Sequence, residues 1–254
     1  MDQVIFDSRG TEMKKVAIVI ALLCLALPAF ADENTYYFSD LFEGYETIDE
    51  ARATVISGGT VEERIKAGVA FFTIGSNRPK KDSDKEPILR ECLAVFDTLW
   101  REDRGNDRIT MLLAYAHAGV GGNVRDLDEI MTHVFRARTL FDIVVARRPQ
   151  NIDPRLGRTM VNMHLPKGNG RPDDIILEDT AIFLEIFATL DPDTQNHPFY
   201  QMGLMEMRLA RALILTDRRK KREARAILAT IDRSVLPDEA FTRIYDTLSR
   251  KLGR

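Results

Sequence analysis

Apolar residues recur at helical spacing nearly throughout this chain, from residue 46 to the C-terminus. Leu89, Phe96 and Trp100, for example, fall on one face of a helix because seven and then four residues separate them. A chain with such stripes buries them by packing helix against helix. The spacing therefore predicts an all-α fold.

Short motifs predict where several of the helices begin. Residues 47–50 (Thr-Ile-Asp-Glu) and 60–63 (Thr-Val-Glu-Glu) match the capping box, in which a Thr hydroxyl and a Glu carboxylate satisfy free backbone N–H groups. Asp153-Pro154 predicts another start, with Asp as N-cap and Pro at the first helical position. The spacing predicts further helices at 88–104, 109–118, 124–148, 175–190, 198–216, 222–231 and 240–252.

Short sequences recur along the helical part of the chain. Phe96-Asp97 returns as Phe141-Asp142 after 45 residues, and residues 188–191 return as 229–232 after 41 residues. Each unit is a helix, a polar turn and a second helix. One such hairpin cannot bury its own apolar face, whereas stacked hairpins bury a continuous core. The recurrence predicts an array of hairpins repeating every 41–45 residues. An irregular helical bundle is the alternative.

The hairpins resemble tetratricopeptide (TPR) repeats over residues 85–235. Residues 137–151 look like the second helix of a TPR followed by an exit turn with Pro and Asn, and residues 188–192 are similar. The period is longer than the roughly 34 residues of a standard TPR, and only Ala114-Tyr115-Ala116 is similar to its first-helix pattern. The resemblance implies an α-solenoid of TPR-like hairpins, stacked as a right-handed superhelix over 46–254.

The same resemblance implies a role in binding rather than catalysis. TPR-like proteins are typically scaffolds that hold a protein or peptide in a concave groove, and this is the function expected here. Exported TPR-like proteins also include small-ligand partners of transport systems. A solute-binding or transport-accessory protein is therefore the alternative function.

The N-terminus has the pattern of a secretory signal. Lys14 and Lys15 precede an apolar run at 16–27, and Ala29-Phe30-Ala31 offers a cleavage site before Asp32. We expect translation to start at Met13, cleavage between Ala31 and Asp32, an extended segment at 32–45, and a periplasmic or secreted product. Retention of the signal as a membrane anchor is the alternative.

Composition limits what the exported chain can be. Only Cys92 remains after residue 31, so an intramolecular disulfide is impossible. The net charge of −3 argues against nucleic acid as the main partner. After Leu27 no apolar run approaches the roughly 20 residues of a transmembrane helix, so we expect no such segment in the exported chain.

A search for catalytic and metal-binding motifs gives no candidate. No two of the four His stand four residues apart as in a helical zinc site, and no Gly-x-Ser-x-Gly elbow occurs. The glycine-rich stretch 119–122 is interpreted as the end of a helix. We expect no enzyme, cofactor or metal site. A helical enzyme with a Glu of raised pKa in a deep cleft is the remaining alternative.

One basic cluster is the candidate binding patch. It consists of Arg218, Arg219, Lys220, Lys221 and Arg222, between two predicted helices. Such a cluster is either a solvated turn or a patch for an acidic partner or an anionic lipid surface.

Overall fold

The computed structural model describes residues 45–77, 85–165, 170–236 and 239–253. The described chain is all-α, as the sequence predicts. The predicted signal peptide (residues 1–31) and residues 32–44 of the predicted extended segment lie outside the described residues. The helices are α1 (Ile48–Ser57), α2 (Val61–Asn77), α3 (Lys85–Glu102), α4 (Asp107–Gly121), α5 (Leu127–Arg147), α6 (Ile152–Met163), α7 (Asp173–Phe187), α8 (Pro192–Asn196), α9 (Pro198–Asp217), α10 (Lys221–Leu228), a 3-10 turn (Arg233–Val235) and α11 (Glu239–Leu252).

Both predicted capping boxes are present. The Glu50 N–H donates to the Thr47 hydroxyl at 3.3 Å, and the Thr47 N–H donates to the Glu50 carboxylate at 3.2 Å. In the second box the Glu63 N–H donates to the Thr60 hydroxyl at 3.3 Å, and the Thr60 N–H donates to the Glu63 carboxylate at 2.8 Å. Gly58 ends α1 with a φ of 71°, a left-handed conformation that glycine adopts without strain.

One local prediction is wrong. The Asn151 side-chain oxygen accepts the N–H of Asp153 at 2.9 Å, so the capping contact comes from Asn151, while Asp153 lies within the first turn of α6. The stretch 119–122 ends α4 as predicted, but the helix runs on to Gly121, three residues beyond the predicted Ala118, and Gly122 is its C-cap. A Cβ at Gly119 would lie 3.0 Å from the Phe72 ring, so this glycine serves close helix packing.

The contacts divide the described residues into two compact units, separated between Pro154 and Arg155 inside α6. In the first unit (residues 45–154), each of α1 to α4 packs against the next helix in the chain. Helix α4 is buried along almost its whole length. Phe96 on α3 and Phe141 on α5, which the sequence paired across the repeat, are both fully buried.

Ion pairs also join alternate helices of the first unit. Arg52 on α1 binds Glu91 on α3, and Arg90 on α3 binds Glu129 on α5. Each pair spans 39 residues, and the second begins 38 residues after the first. The same contact thus recurs from one hairpin to the next. The predicted right-handed superhelical stack goes beyond this observation and stays a prediction.

Trp100, the only tryptophan of the chain, also lies in the first unit. The guanidinium carbons of Arg104 and Arg136 stand 4.9 and 5.4 Å from the centre of its ring. Guanidinium groups at this distance attract the negative face of an indole. Two cations thus stand near the ring, one from the turn after α3 and one from α5.

The second unit (residues 155–253) is built on the antiparallel pair α7 and α9. Arg171, just before α7, binds Asp217 at the end of α9 at 2.8 Å. Further along, a Cβ on Gly203 of α9 would lie 2.9 Å from Leu156 and 3.6 Å from Phe183. Glycine at 203 thus lets α9 approach both α6 and α7. Helices α10 and α11 pack on α9.

The length and hydropathy of the described helices show whether any of them could cross a membrane. Within the ranges that the structure describes, no helix combines the length and the apolar content needed to cross a bilayer.

Candidate functional site

An apolar groove lies between α1, α2 and α3 of the first unit. It has a volume of about 450 Å³. The buried ring of Phe71 and the side chain of Val95 line it, and Ile56 stands at its edge with 85% of its surface exposed. Its other lining residues are Arg52, Val55, Gly58, Arg64, Glu91, Ala94 and Thr98. The groove thus offers apolar surface that the first unit does not itself cover.

The weak packing of α1 explains why this surface stays open. Ala51 is the one residue of α1 that is buried. A small side chain at this contact leaves little area to hold α1 against the hairpin beneath it. Val55 and Ile56, one turn further on, line the groove instead of entering the core. Sequence reasoning missed the groove because its walls come from three helices.

Charged pairs stand at the rim of the groove. Arg52 donates to both oxygens of Glu91 at 2.8 and 2.7 Å, and Arg64 donates to both oxygens of Glu102 at 2.8 and 2.7 Å. Hydrogen bonding to Glu91 raises the pKa of Arg52, and the bond from Arg64 lowers the pKa of Glu102. Both ion pairs thus stand beside an apolar floor.

The predicted basic patch lies in the second unit, at the turn from α9 to α10. Arg218 binds Asp174 at 2.7 Å, and Lys220 stands 3.5 Å from Glu223. Arg219 adopts a left-handed conformation with a φ of 62°. The side chains of 219–222 are exposed. Two of them, Lys221 and Arg222, stand at the start of α10. Two of the five cations are thus partly neutralised, and binding by the patch stays a prediction.

Sequence reasoning also missed a buried charged cluster in the second unit. Residues 151–162 are all buried, including the polar side of α6. Arg155 binds Asp179 of α7 at 2.8 Å, and Arg158 binds both oxygens of the same carboxylate at 2.7 and 2.6 Å. Asp179 has no exposed surface. Two arginines of α6 thus form ion pairs with a single carboxylate of α7.

Other polar groups of α6 and α9 are also buried. Glu206, on α9 one turn beyond Gly203, is 2% exposed. Thr159 and Asn162 are fully buried on the same side of α6, and their side-chain oxygen and nitrogen atoms have no hydrogen-bond partner among the described residues. Because the contacts of Arg155 and Arg158 with Asp179 join α6 to α7, we assign the cluster a structural role: it fixes α6 against α7.

Two histidines meet in the first unit. The Nδ1 atoms of His117 on α4 and His133 on α5 are 2.9 Å apart, so one ring donates a proton to the other. Burial, with His133 and Arg136 nearby, lowers the pKa of His117 to about 4, and burial also lowers the pKa of His133. The described residues contain no group of three His, Cys, Asp or Glu side chains able to hold a metal ion.

Comparison with known proteins gives no relative. No model of a protein family matches the chain, and no curated protein matches it in sequence. Function must therefore be inferred from the groove and from the sequence.

Proposed function

We propose that this chain is an exported, TPR-like scaffold that binds a protein or peptide partner in the groove between α1, α2 and α3. In this proposal the hairpins stack as a right-handed solenoid, and the groove belongs to its concave face. The observation that carries the proposal is an apolar groove of about 450 Å³ with Ile56 exposed at its edge. The predicted signal at residues 1–31 supports export.

The chemistry of the groove suits a peptide. An apolar floor binds one or two apolar side chains of a partner, because burial of such area contributes roughly 25 cal/mol per Å². The charged pairs Arg52–Glu91 and Arg64–Glu102 flank this floor. Charged groups at a rim contribute specificity and orientation more than affinity. Together they fit a segment with apolar anchors and polar flanks.

The recurrence of ion pairs supports the scaffold architecture. Arg52–Glu91 and Arg90–Glu129 repeat one contact between alternate helices. In a stack of hairpins each unit meets its neighbour in the same way, so equivalent contacts recur at the repeat length. The spacing of 38 residues lies between the roughly 34 residues of a standard TPR and the 41–45 residues of the sequence recurrences.

The test is selection of peptides from a random library on the exported chain. Ile56→Glu changes an exposed groove residue without disturbing the core, and Leu127→Glu makes the same kind of change at another site, 62% exposed. We expect selected peptides to bind Ile56→Glu about tenfold more weakly and Leu127→Glu with unchanged affinity. Equal binding to both variants, or no selected peptide at all, would refute the proposal.

The second candidate is a solute-binding or transport-accessory protein. The volume of the groove favours it, since about 450 Å³ lies within the roughly 300–1,000 Å³ of small-molecule pockets. Native mass spectrometry of the purified chain separates the two candidates. A small molecule retained by the parent chain and lost from Ile56→Glu would favour solute binding over the scaffold.

A further inference from the structure

The basic patch (residues 218–222) places a cation where the fold favours glycine. Arg219 follows the C-cap of α9, and it is the one non-glycine residue with a positive φ, 62°, in the described part of the chain. Its N–H donates to the Thr216 carbonyl at 3.0 Å, and the Lys220 N–H donates to the Leu215 carbonyl at 2.8 Å. These two bonds form a Schellman motif, in which glycine is usual because an L side chain strains the left-handed conformation.

The next cations oppose the dipole of the helix that they begin. Lys220 is the N-cap of α10 and makes no side-chain capping bond, and Lys221 and Arg222 are the first two residues of this helix. The positive end of a helix dipole lies in its first turn, so Asp and Glu stabilise the helix there, whereas Lys and Arg do not. The stability of α10 therefore does not explain the charges of Lys221 and Arg222.

Three cations of the patch also lack a carboxylate partner. Arg219, Lys221 and Arg222 are exposed, and they form no ion pair within the residues that the structure describes. Arg233 of the same unit, by contrast, donates to both oxygens of Asp246 at 2.8 and 2.9 Å. The patch thus presents positive charge that the fold does not use internally.

Further cations extend this surface over α10 and α11. Arg225 on α10 donates to the Leu252 carbonyl at 2.8 Å, which holds the last turn of α11 beside α10. Arg250 and Lys251 belong to this last turn and are exposed. From 218 to 225, six residues are Lys or Arg and one is Glu. The positive surface is therefore wider than the turn between α9 and α10.

We propose that this surface, the basic patch with Arg225, Arg250 and Lys251, docks the protein on a membrane whose lipid headgroups are anionic. Each Lys or Arg close to such a membrane is attracted by its negative surface potential, and the attractions of neighbouring cations add. The inference is independent of the groove, which lies in the first unit.

The lack of apolar anchors favours a membrane surface over an acidic protein. No large apolar side chain is exposed between residues 217 and 230, all of which the structure describes. The buried core of a protein–protein interface is apolar and rich in aromatic residues. An anionic bilayer is instead bound by charge, through many headgroups at once. A surface of clustered cations without an apolar centre therefore fits the bilayer better.

The test compares two double variants that lose the same charge. Lys221→Gln with Arg222→Gln removes two cations of the patch, and Arg101→Gln with Arg125→Gln removes two exposed cations of the first unit. Co-sedimentation measures binding of the exported chain to phosphatidylcholine vesicles with and without phosphatidylserine. We expect binding only with phosphatidylserine, about threefold weaker for the patch variant and unchanged for the control. Added salt should weaken this binding because it screens the charges.

Three results would overturn the inference. The first is a parent chain that does not bind phosphatidylserine vesicles. The second is equal weakening in both double variants, because the net charge of the chain would then decide binding. The third is tighter binding to poly-glutamate than to the vesicles, which would identify an acidic protein as the partner.

A substitution at Arg219 separates binding from folding. Arg219→Gly relieves the left-handed strain, so we expect a Tm equal to or above that of the parent chain, while binding to phosphatidylserine vesicles weakens about twofold. Arg219→Lys keeps both the charge and the strain and should match the parent chain in both measurements. A lower Tm in Arg219→Gly would show that this arginine serves the fold. That result, or unchanged vesicle binding by Arg219→Gly, would contradict the inference.

Discussion

The two units of the chain place their arginines differently. In the first unit, Arg52, Arg64 and Arg90 make bidentate or shared ion pairs at the surface, joining different helices. In the second unit, Arg155 and Arg158 are buried and share Asp179. Exposed ion pairs contribute about 0–1 kcal/mol, whereas breaking a buried pair costs about 3–5 kcal/mol. Arg52, Arg64 and Arg90 should therefore be more easily replaced than Arg155 and Arg158.

The largest expected effect comes from removing the shared carboxylate. Asp179→Ala takes from Arg155 and Arg158 the acceptor that both bind, so we expect a loss of about 3–5 kcal/mol in the free energy of unfolding. Urea unfolding followed by circular dichroism measures it. Asp49→Ala removes an exposed partner of Arg52 and should cost less than about 0.5 kcal/mol. Equal losses in the free energy of unfolding for the two variants would contradict the expected difference between buried and exposed ion pairs.

The stability of the first unit should instead be sensitive to substitutions that disturb its close apolar packing. A Cβ on Gly68 would lie 2.6 Å from Cζ of the buried Phe96 ring, so Gly68→Ala should destabilise by about 1–3 kcal/mol. The gain in helix propensity offsets up to about 1 kcal/mol of this. Gly105→Ala is the control, because its Cβ meets only Asp103 at 3.3 Å. An unchanged free energy of unfolding in Gly68→Ala would show that the α2–α3 contact adapts easily to the added methyl group.

Acid should weaken the first unit through its histidine pair. His117 has a pKa of about 4 in the folded chain and about 6.5 when unfolded. Between these values the unfolded state binds more protons, so stability is full above about pH 6.5 and falls as the pH drops towards 4. We expect Tm to fall by several degrees from pH 7 to pH 5, and by less in His117→Gln. An identical pH profile of the variant would contradict this assignment.

The smallest expected effect on stability comes from the exposed basic patch. Changing all five cations at 218–222 to Gln should alter the free energy of unfolding by less than about 1 kcal/mol, since their ion pairs are exposed. If the patch binds anionic lipid, vesicles containing phosphatidylserine should bind the variant several-fold more weakly. Unchanged vesicle binding would assign the patch to a solvated turn.

Features encoded within a few residues were predictable from the sequence. The capping boxes at Thr47 and Thr60 were confirmed because each motif contains both of its partners. The N-cap of α6 was missed because Asn151 and Asp153 both suit that position, and Pro154 favoured the latter. Local chemistry thus fixes helix ends to within a few residues.

Features assembled from distant residues were not predictable. Arg155, Arg158, Thr159 and Asn162 stand at the spacing of a solvent-facing helix stripe, and nothing local indicates that Asp179 covers them. His117 and His133 meet across two helices, so a search for four-residue spacing misses them. The groove requires three helices to be placed together. Burial is a property of the whole fold, which a stretch of sequence does not carry.

Trp100 is a natural fluorescent reporter of the first unit. Because it is the only tryptophan and lies in the first unit, fluorescence excited at the red edge of its absorption follows that unit alone. Circular dichroism follows the helices of both units. Coincident midpoints would identify one cooperative transition for the whole chain, and separated midpoints would give each unit a stability of its own. The single tryptophan thus serves as an intrinsic probe, and the experiment needs no added label.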